Sequence, residues 1–144
     1  MATTHVLPRD TTEPSRALHY ALWGVQFLLG FAFLAAGVMK ATTPIPELLA
    51  KMAWVESVPG PLVRFIGVSE LLGGIGLLLP SLTGIKPQLS ALAGAGLAVV
   101  MVLASGLHAT RGEYGAIGIN VVLGGLAAFV AWGRHKKAPI EPRS

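Results

Sequence analysis

The chain has 144 residues and no cysteine; 53% of its residues are hydrophobic, 12% are charged, and the formal net charge is +4. Soluble domains carry about 25% charged residues, so the surface of an ordinary water-facing globule is missing, and the length suits one unit of about 100–200 residues. Without cysteine there is no disulfide framework, CxxC redox pair, iron–sulfur cluster or thiolate zinc site, so any redox role must use a bound cofactor or a partner.

The first sixteen residues are polar and turn-rich and read as a flexible tail. No Asp, Glu, Lys or Arg then occurs between Arg16 and Lys40, between Lys86 and Arg111, or between Glu113 and Arg134, and only Glu70 interrupts the stretch from Arg64 to Lys86. A helix rises about 1.5 Å per residue and a bilayer core is about 30 Å thick. These runs therefore predict four membrane spans, at Ala17–Met39, Leu62–Leu79, Gln88–His108 and Tyr114–Gly133. The first is longer than a signal-peptide core of about 7–15 residues and is expected to be retained.

The connection between the first two spans is bounded by Pro44, Pro46, Pro59 and Pro61. Inside it Ile45, Leu48, Leu49, Met52 and Val55 recur at helical spacing, which predicts one short amphipathic helix lying at the membrane interface as a lid, with Trp54 at headgroup depth. The later turns, Pro80 to Gly84 with Pro87, and Ala109 to Glu113, are tight, and short connections make neighbouring helices antiparallel. Residues 134–144 are basic and proline-broken, a second tail. The fold class is thus all-α: an integral membrane four-helix up-down bundle over residues 17–133, with a short interfacial helix after the first span and tails at 1–16 and 134–144.

Basic residues orient such a bundle. Arg9, Arg16, Lys86, Arg134, Lys136, Lys137 and Arg143 share the side of the termini, against Lys40, Lys51, Arg64 and Arg111 opposite. The positive-inside bias then places both termini in the cytoplasm. Scattered over loops and tails, these cations form no stripe for nucleic acid; the expected partner is the lipid bilayer.

Small residues let helices approach in lipid, and polar residues share faces with them. Gln26, Gly30, Phe33, Gly37 and Lys40 form one stripe; Gly67, Glu70 and Gly74 form another; Ser90, Gly94, Met101 and His108, and Asn120, Gly124 and Ala127, mark the last two spans. By depth, Lys40, Arg64, Glu70, His108, Arg111, Glu113 and Asn120 collect in the outer half of the bundle. A charge at mid-membrane costs about 2.5–3.5 kcal/mol on insertion scales, so Glu70 needs a partner. Either it pairs with Lys40 or Arg64 as a clip between two helices, or Glu70, Lys40 and His108 line a pocket for the polar head of a lipophilic ligand. In the second case these three are the candidate catalytic groups, and Arg64, Asn120, Gln26, Trp54, Arg111 and Glu113 are the candidate ligand-binding groups. Gln26 lies deeper and suits an interhelical hydrogen bond. No metal site is expected, and haem finds no pair of axial ligands at one depth, because His19 and His108 stand at opposite ends.

The run Gly30-Phe-Ala-Phe-Leu-Ala-Ala-Gly37-Val-Met-Lys40, then Trp54 and Pro59, then Arg64-Phe-Ile-Gly67-Val-Ser-Glu70-Leu-Leu-Gly73-Gly74 and the turn of His108 with Arg111-Gly112-Glu113 resemble the DoxX-like family of small four-helix membrane proteins. The resemblance runs from about Leu18 to Pro142. It implies a four-helix bundle in a bacterial inner membrane. It also implies a link to respiratory or thiol redox chemistry, since the name-giving members are subunits of a thiosulfate:quinone oxidoreductase. Lys40 and Glu70 fall on the matching motif positions, with no catalytic assignment attached. The resulting expectation is a subunit binding a quinone-like molecule and supporting membrane redox chemistry, with a redox partner protein or a second copy of itself as its protein partner. The alternatives are a membrane-embedded acid–base enzyme using Glu70 and a small proton-coupled exporter.

Overall fold

Ser15 starts the first helix: its hydroxyl accepts the Leu18 N–H at 3.2 Å, closing one of the free donors of the first turn. The computed structural model describes residues 15–143; the expected tail at 1–16 lies outside them except for its last two positions. The elements are α1 (Arg16–Thr42), α2 (Ile45–Lys51), a 3-10 turn (Ala53–Ser57), α3 (Gly60–Thr83), α4 (Gln88–Thr110) and α5 (Tyr114–Trp132), which runs into a π-helical turn (Gly133–Lys137). Helix α1 packs on α3, α3 on α4 and α4 on α5, and α5 closes the ring against α1. The all-α four-helix bundle with a short helix after the first span is the one the hydropathy predicts, and the four long helices are long and apolar enough to cross a membrane.

The boundaries differ from the expectation where proline was read as a stop. Helix α3 runs through Pro80 to Thr83. So close to the helix end, Pro80 forgoes one backbone donor and keeps helical φ. The helix stops at Gly84, whose φ of +71° suits glycine and whose N–H reaches Pro80 O at 3.0 Å. In the connection, the single predicted amphipathic helix is two short pieces, because Met52 is extended at φ −139° and ψ 96°. Both pieces lie over one end of the bundle, where Leu48, Val55 and Val63 form a small core with Met39, Met52 and Trp54 packed on it. We call this the loop end; the opposite end carries the start of α1 and the end of α5.

The main core, Leu29, Phe33, Leu77, Leu78, Leu97, Met101, Ala127 and Val130, fills the middle. Outward the helices present large apolar side chains such as Phe31, Phe65, Leu92 and Val102, a contiguous apolar surface that suits a lipid bilayer. The glycine stripe of α1 and α3 brings backbone against backbone: a Cβ on Gly67 would stand 2.7 Å from Lys40 Cβ and from Ala41 N, and one on Gly74 would stand 2.9 Å from Gly30 O.

The C-terminal segment is not the free tail expected from its composition. Arg134 is buried, Ala138 is fully buried, and the Arg143 N–H donates to Gly84 O at 3.1 Å. Lys137 stands over the Trp132 ring at 5.8 Å. A basic run that finds carbonyls and ring faces at the end of a bundle folds back onto it.

Candidate functional site

Close approach of α1 and α3 at Gly37 and Gly67 sets Lys40 beside Glu70. Lys40 Nζ donates to both carboxylate oxygens, at 2.7 and 2.6 Å, and lies 6.0 Å from the centre of the Trp54 ring. The two side chains are 12% and 4% exposed, so this is a buried, two-pronged charge pair with an aromatic face over the cation. Arg64, weighed as the alternative partner of Glu70, instead donates from Nη1 to Lys40 O at 2.6 Å. It caps a free carbonyl in the last turn of α1, where a cation suits the helix dipole.

A second assembly comes from the turn between α4 and α5. Glu113 Oε2 lies 2.6 Å from His108 Nδ1, and Arg111 Nε donates to Oε1 at 2.9 Å. These hydrogen bonds, from His108 first and then Arg111, hold the Glu113 carboxyl below the usual carboxylate range. An ionised carboxylate only accepts, so Nδ1 carries the proton and, in the neutral ring, Nε2 is left as an acceptor. Arg111 Nη1 also donates to Ser57 Oγ, tying this turn to the 3-10 piece at the loop end.

Between these assemblies lies a cavity of about 410 Å³. Lys40, Glu70, His108, Asn120 and Trp54 all line it, with Met52 and Val58 from the loop end and apolar residues of α3 and α4 making up the rest of the wall. The Asn120 side-chain amide nitrogen is buried and has no hydrogen-bond partner among the described residues. Of the nine candidate residues, five therefore meet at one cavity. Arg64, Arg111 and Glu113 stand behind it, holding Lys40 and His108.

Gln26 is elsewhere. Fully buried toward the other end, it donates from Nε2 to Leu77 O at 2.7 Å and to Ser81 Oγ at 3.0 Å, and accepts from Arg134 Nε at 2.5 Å. It does not line the cavity and makes the interhelical hydrogen bonds that its depth suggested: a helical stripe runs the whole length of a helix, and sharing a face with Lys40 does not mean sharing its depth.

Two contributors were not read from the sequence. Ser57 was one hydroxyl in a polar connection, with nothing to mark it. The apolar wall from α3 and α4 left a usable trace: Gly73 and Gly76 lie toward one end of α3, and bulkier residues, Phe65 and Ile66, toward the other. Among the described residues, no group of three or more His, Asp or Glu converges to hold a metal ion.

What the fold and the cavity define is a small multi-pass helical membrane protein with a polar-floored chamber at one end of its bundle. The chain belongs to the DoxX-like family, whose model it matches over residues 24–130. No curated protein and no solved structure matches it.

Proposed function

We propose that this DoxX-like protein binds a lipophilic, quinone-like molecule in the loop-end cavity and supports membrane redox chemistry. The observation that carries the reading is the joining of apolar walls with a few hydrogen-bonding groups, His108, Asn120 and the Lys40–Glu70 pair, in one chamber of about 410 Å³. Small-molecule sites have this character: mostly apolar lining with a few placed polar groups, in about 300–1,000 Å³. A carbonyl head fits the unpartnered Asn120 donor, and a hydroxyl head, as on the reduced quinol, fits both that donor and the His108 acceptor. Electrons would come from a redox partner, since the chain has no thiol of its own. With the basic termini end in the cytoplasm of a bacterium, the cavity lies in the outer half of the inner membrane, and residues 17–133 form the membrane domain.

The test is titration of purified protein with a short-chain benzoquinone, read by Trp54 fluorescence in a Trp23→Phe/Trp132→Phe background. Saturable quenching that weakens in Asn120→Leu is the expected result; quenching that rises linearly and equally in both proteins would overturn the reading. A second reading, acid–base catalysis on the bound molecule, is favoured by the carboxylate-held imidazole. In it His108 exchanges the proton, because both Glu70 oxygens are taken by Lys40. Solvent deuterium appearing in a bound ligand with wild-type protein and not with His108→Ala is its expected signature, and no uptake with either would remove it.

A further inference from the structure

Helices α3 and α4 touch closely over only part of their length. Toward the termini end, a Cβ on Gly73 would meet Leu97 at 2.5 Å and one on Gly76 would meet Ala93 at 2.8 Å, and the Ser81 and Ser90 hydroxyls are 2.7 Å apart. Continued toward the loop end in the same antiparallel register, Glu70 stands opposite Val100 and Ile66 opposite Ala104. There both members of each pair line the cavity. The chamber is therefore a parting of these two helices.

Its walls are unequally covered. The polar end is shut in: Glu70 is 3% exposed, and the loop-end residues Met52, Trp54 and Val58 form part of the wall. Two other lining residues, Phe65 of α3 and Leu103 of α4, are 67% and 69% exposed. They belong to the lipid-facing surface of the bundle and to the cavity at once. The chamber opens sideways, between α3 and α4, at the depth of the hydrocarbon, and its edge is apolar.

From this we infer that the ligand is a single-chain amphiphile which enters from the bilayer through the α3–α4 cleft and leaves its chain lying there, across Phe65 and Leu103, with its head at Asn120 and His108. The inference rests on the cavity reading above and narrows it. A volume of about 410 Å³ is near the lower limit for small-molecule sites: it encloses a head and a short stretch of chain, and a longer chain must pass the open edge. The charge pair adds to this polarity. Lys40 and Glu70 neutralise one another, so the polar end suits an uncharged carbonyl or hydroxyl head better than an ion.

The experiment uses full-length protein in lipid nanodiscs and a benzoquinone with a ten-carbon chain bearing a diazirine, photolysed after binding and mapped by peptide mass spectrometry. Adducts on the α3 and α4 residues of the cleft, competed away by the unlabelled quinone, are the expected result, with at least a tenfold lower yield in Ala104→Phe, which narrows the cleft. Saturable binding with competed adducts on α1, α5 or the loop end instead would overturn the sideways entry while leaving the cavity reading intact. Absence of saturable binding, read by Trp54 quenching in the same nanodiscs, would overturn both. The adduct map is decided on wild-type protein and stands whether or not Ala104→Phe folds.

Discussion

The bundle buries two polar clusters, one at each end, and they are built on different plans. At the termini end, Gln26, Ser81, Ser90 and Arg134 bond to one another and to backbone carbonyls: every polar atom of the Gln26 amide has a partner, and the Arg134 guanidinium also lies 5.0 Å from the Trp23 ring centre. One guanidinium nitrogen, Nη2, lacks a partner among the described residues. At the loop end, Lys40, Glu70 and His108 also make bonds while the Asn120 amide nitrogen has no partner among the described residues, and all four residues line a chamber. Polar groups that close on themselves join helices; polar groups that keep a face on an empty volume are arranged to meet something else. Burial alone does not separate these cases, since Gln26 is more deeply buried than any cavity residue, and the separating property is what each group's remaining valence points at.

The largest expected effect is at Glu70. Glu70→Gln leaves a buried ammonium without its counter-charge, a change of about 3–5 kcal/mol in buried pairs, read as a large fall in the detergent unfolding midpoint. Replacing both partners, Lys40→Met with Glu70→Leu, should restore most of that loss, because an apolar pair of similar volume is often neutral. If the pair were only a clip, the double variant would also keep ligand binding; the account expects it to lose it.

Gln26→Leu comes next. It removes three hydrogen bonds and strands Arg134 Nε, at a cost of about 1–3 kcal/mol, seen in the same unfolding measurement. Quinone affinity of the folded protein should stay within about twofold, and an affinity loss matching that of a cavity variant would erase the distinction between the two ends. His108→Ala and Asn120→Leu should do the reverse. Each removes one hydrogen bond to a quinol hydroxyl head, worth about 1 kcal/mol, or a five- to tenfold weaker quinol Kd, with little change in the unfolding midpoint.

The smallest effect concerns pH. The Glu113 carboxyl is held below its ordinary range by His108 and Arg111. A lowered folded-state pKa means that the stabilisation is complete above the ordinary carboxylate value and is lost as pH falls through the lowered one. The Arg111 Nε–H NMR signal should therefore persist through the ordinary carboxylate range and exchange away only at still lower pH. Loss of the signal at or above the ordinary value would contradict the hydrogen-bonded arrangement of the turn.

Much of this was legible in the chain, for reasons that can be named. The uncharged runs fix the spans because lipid excludes charge, and the stripe of Gly30, Gly37 and Lys40 against Gly67, Glu70 and Gly74 encodes a close helix pair, which set Lys40 against Glu70. His108 and Asn120 followed from depth. The chamber itself was not legible, since it comes from where α3 and α4 part, a matter of packing along two helices and not of any one residue. Arg134 was missed because position after the last span reads as tail, and only the folded chain shows Gln26 waiting for it. Pro80 misled for the opposite reason: a strong local signal, overridden within three residues of a helix end.

The most direct measurement is native mass spectrometry of the protein released from its own membranes, comparing wild type with Lys40→Met/Glu70→Leu and with Gln26→Leu. The account predicts a bound lipophilic molecule on wild type and on Gln26→Leu, and none on the double variant. Equal occupancy in all three, or an empty wild type, would contradict it.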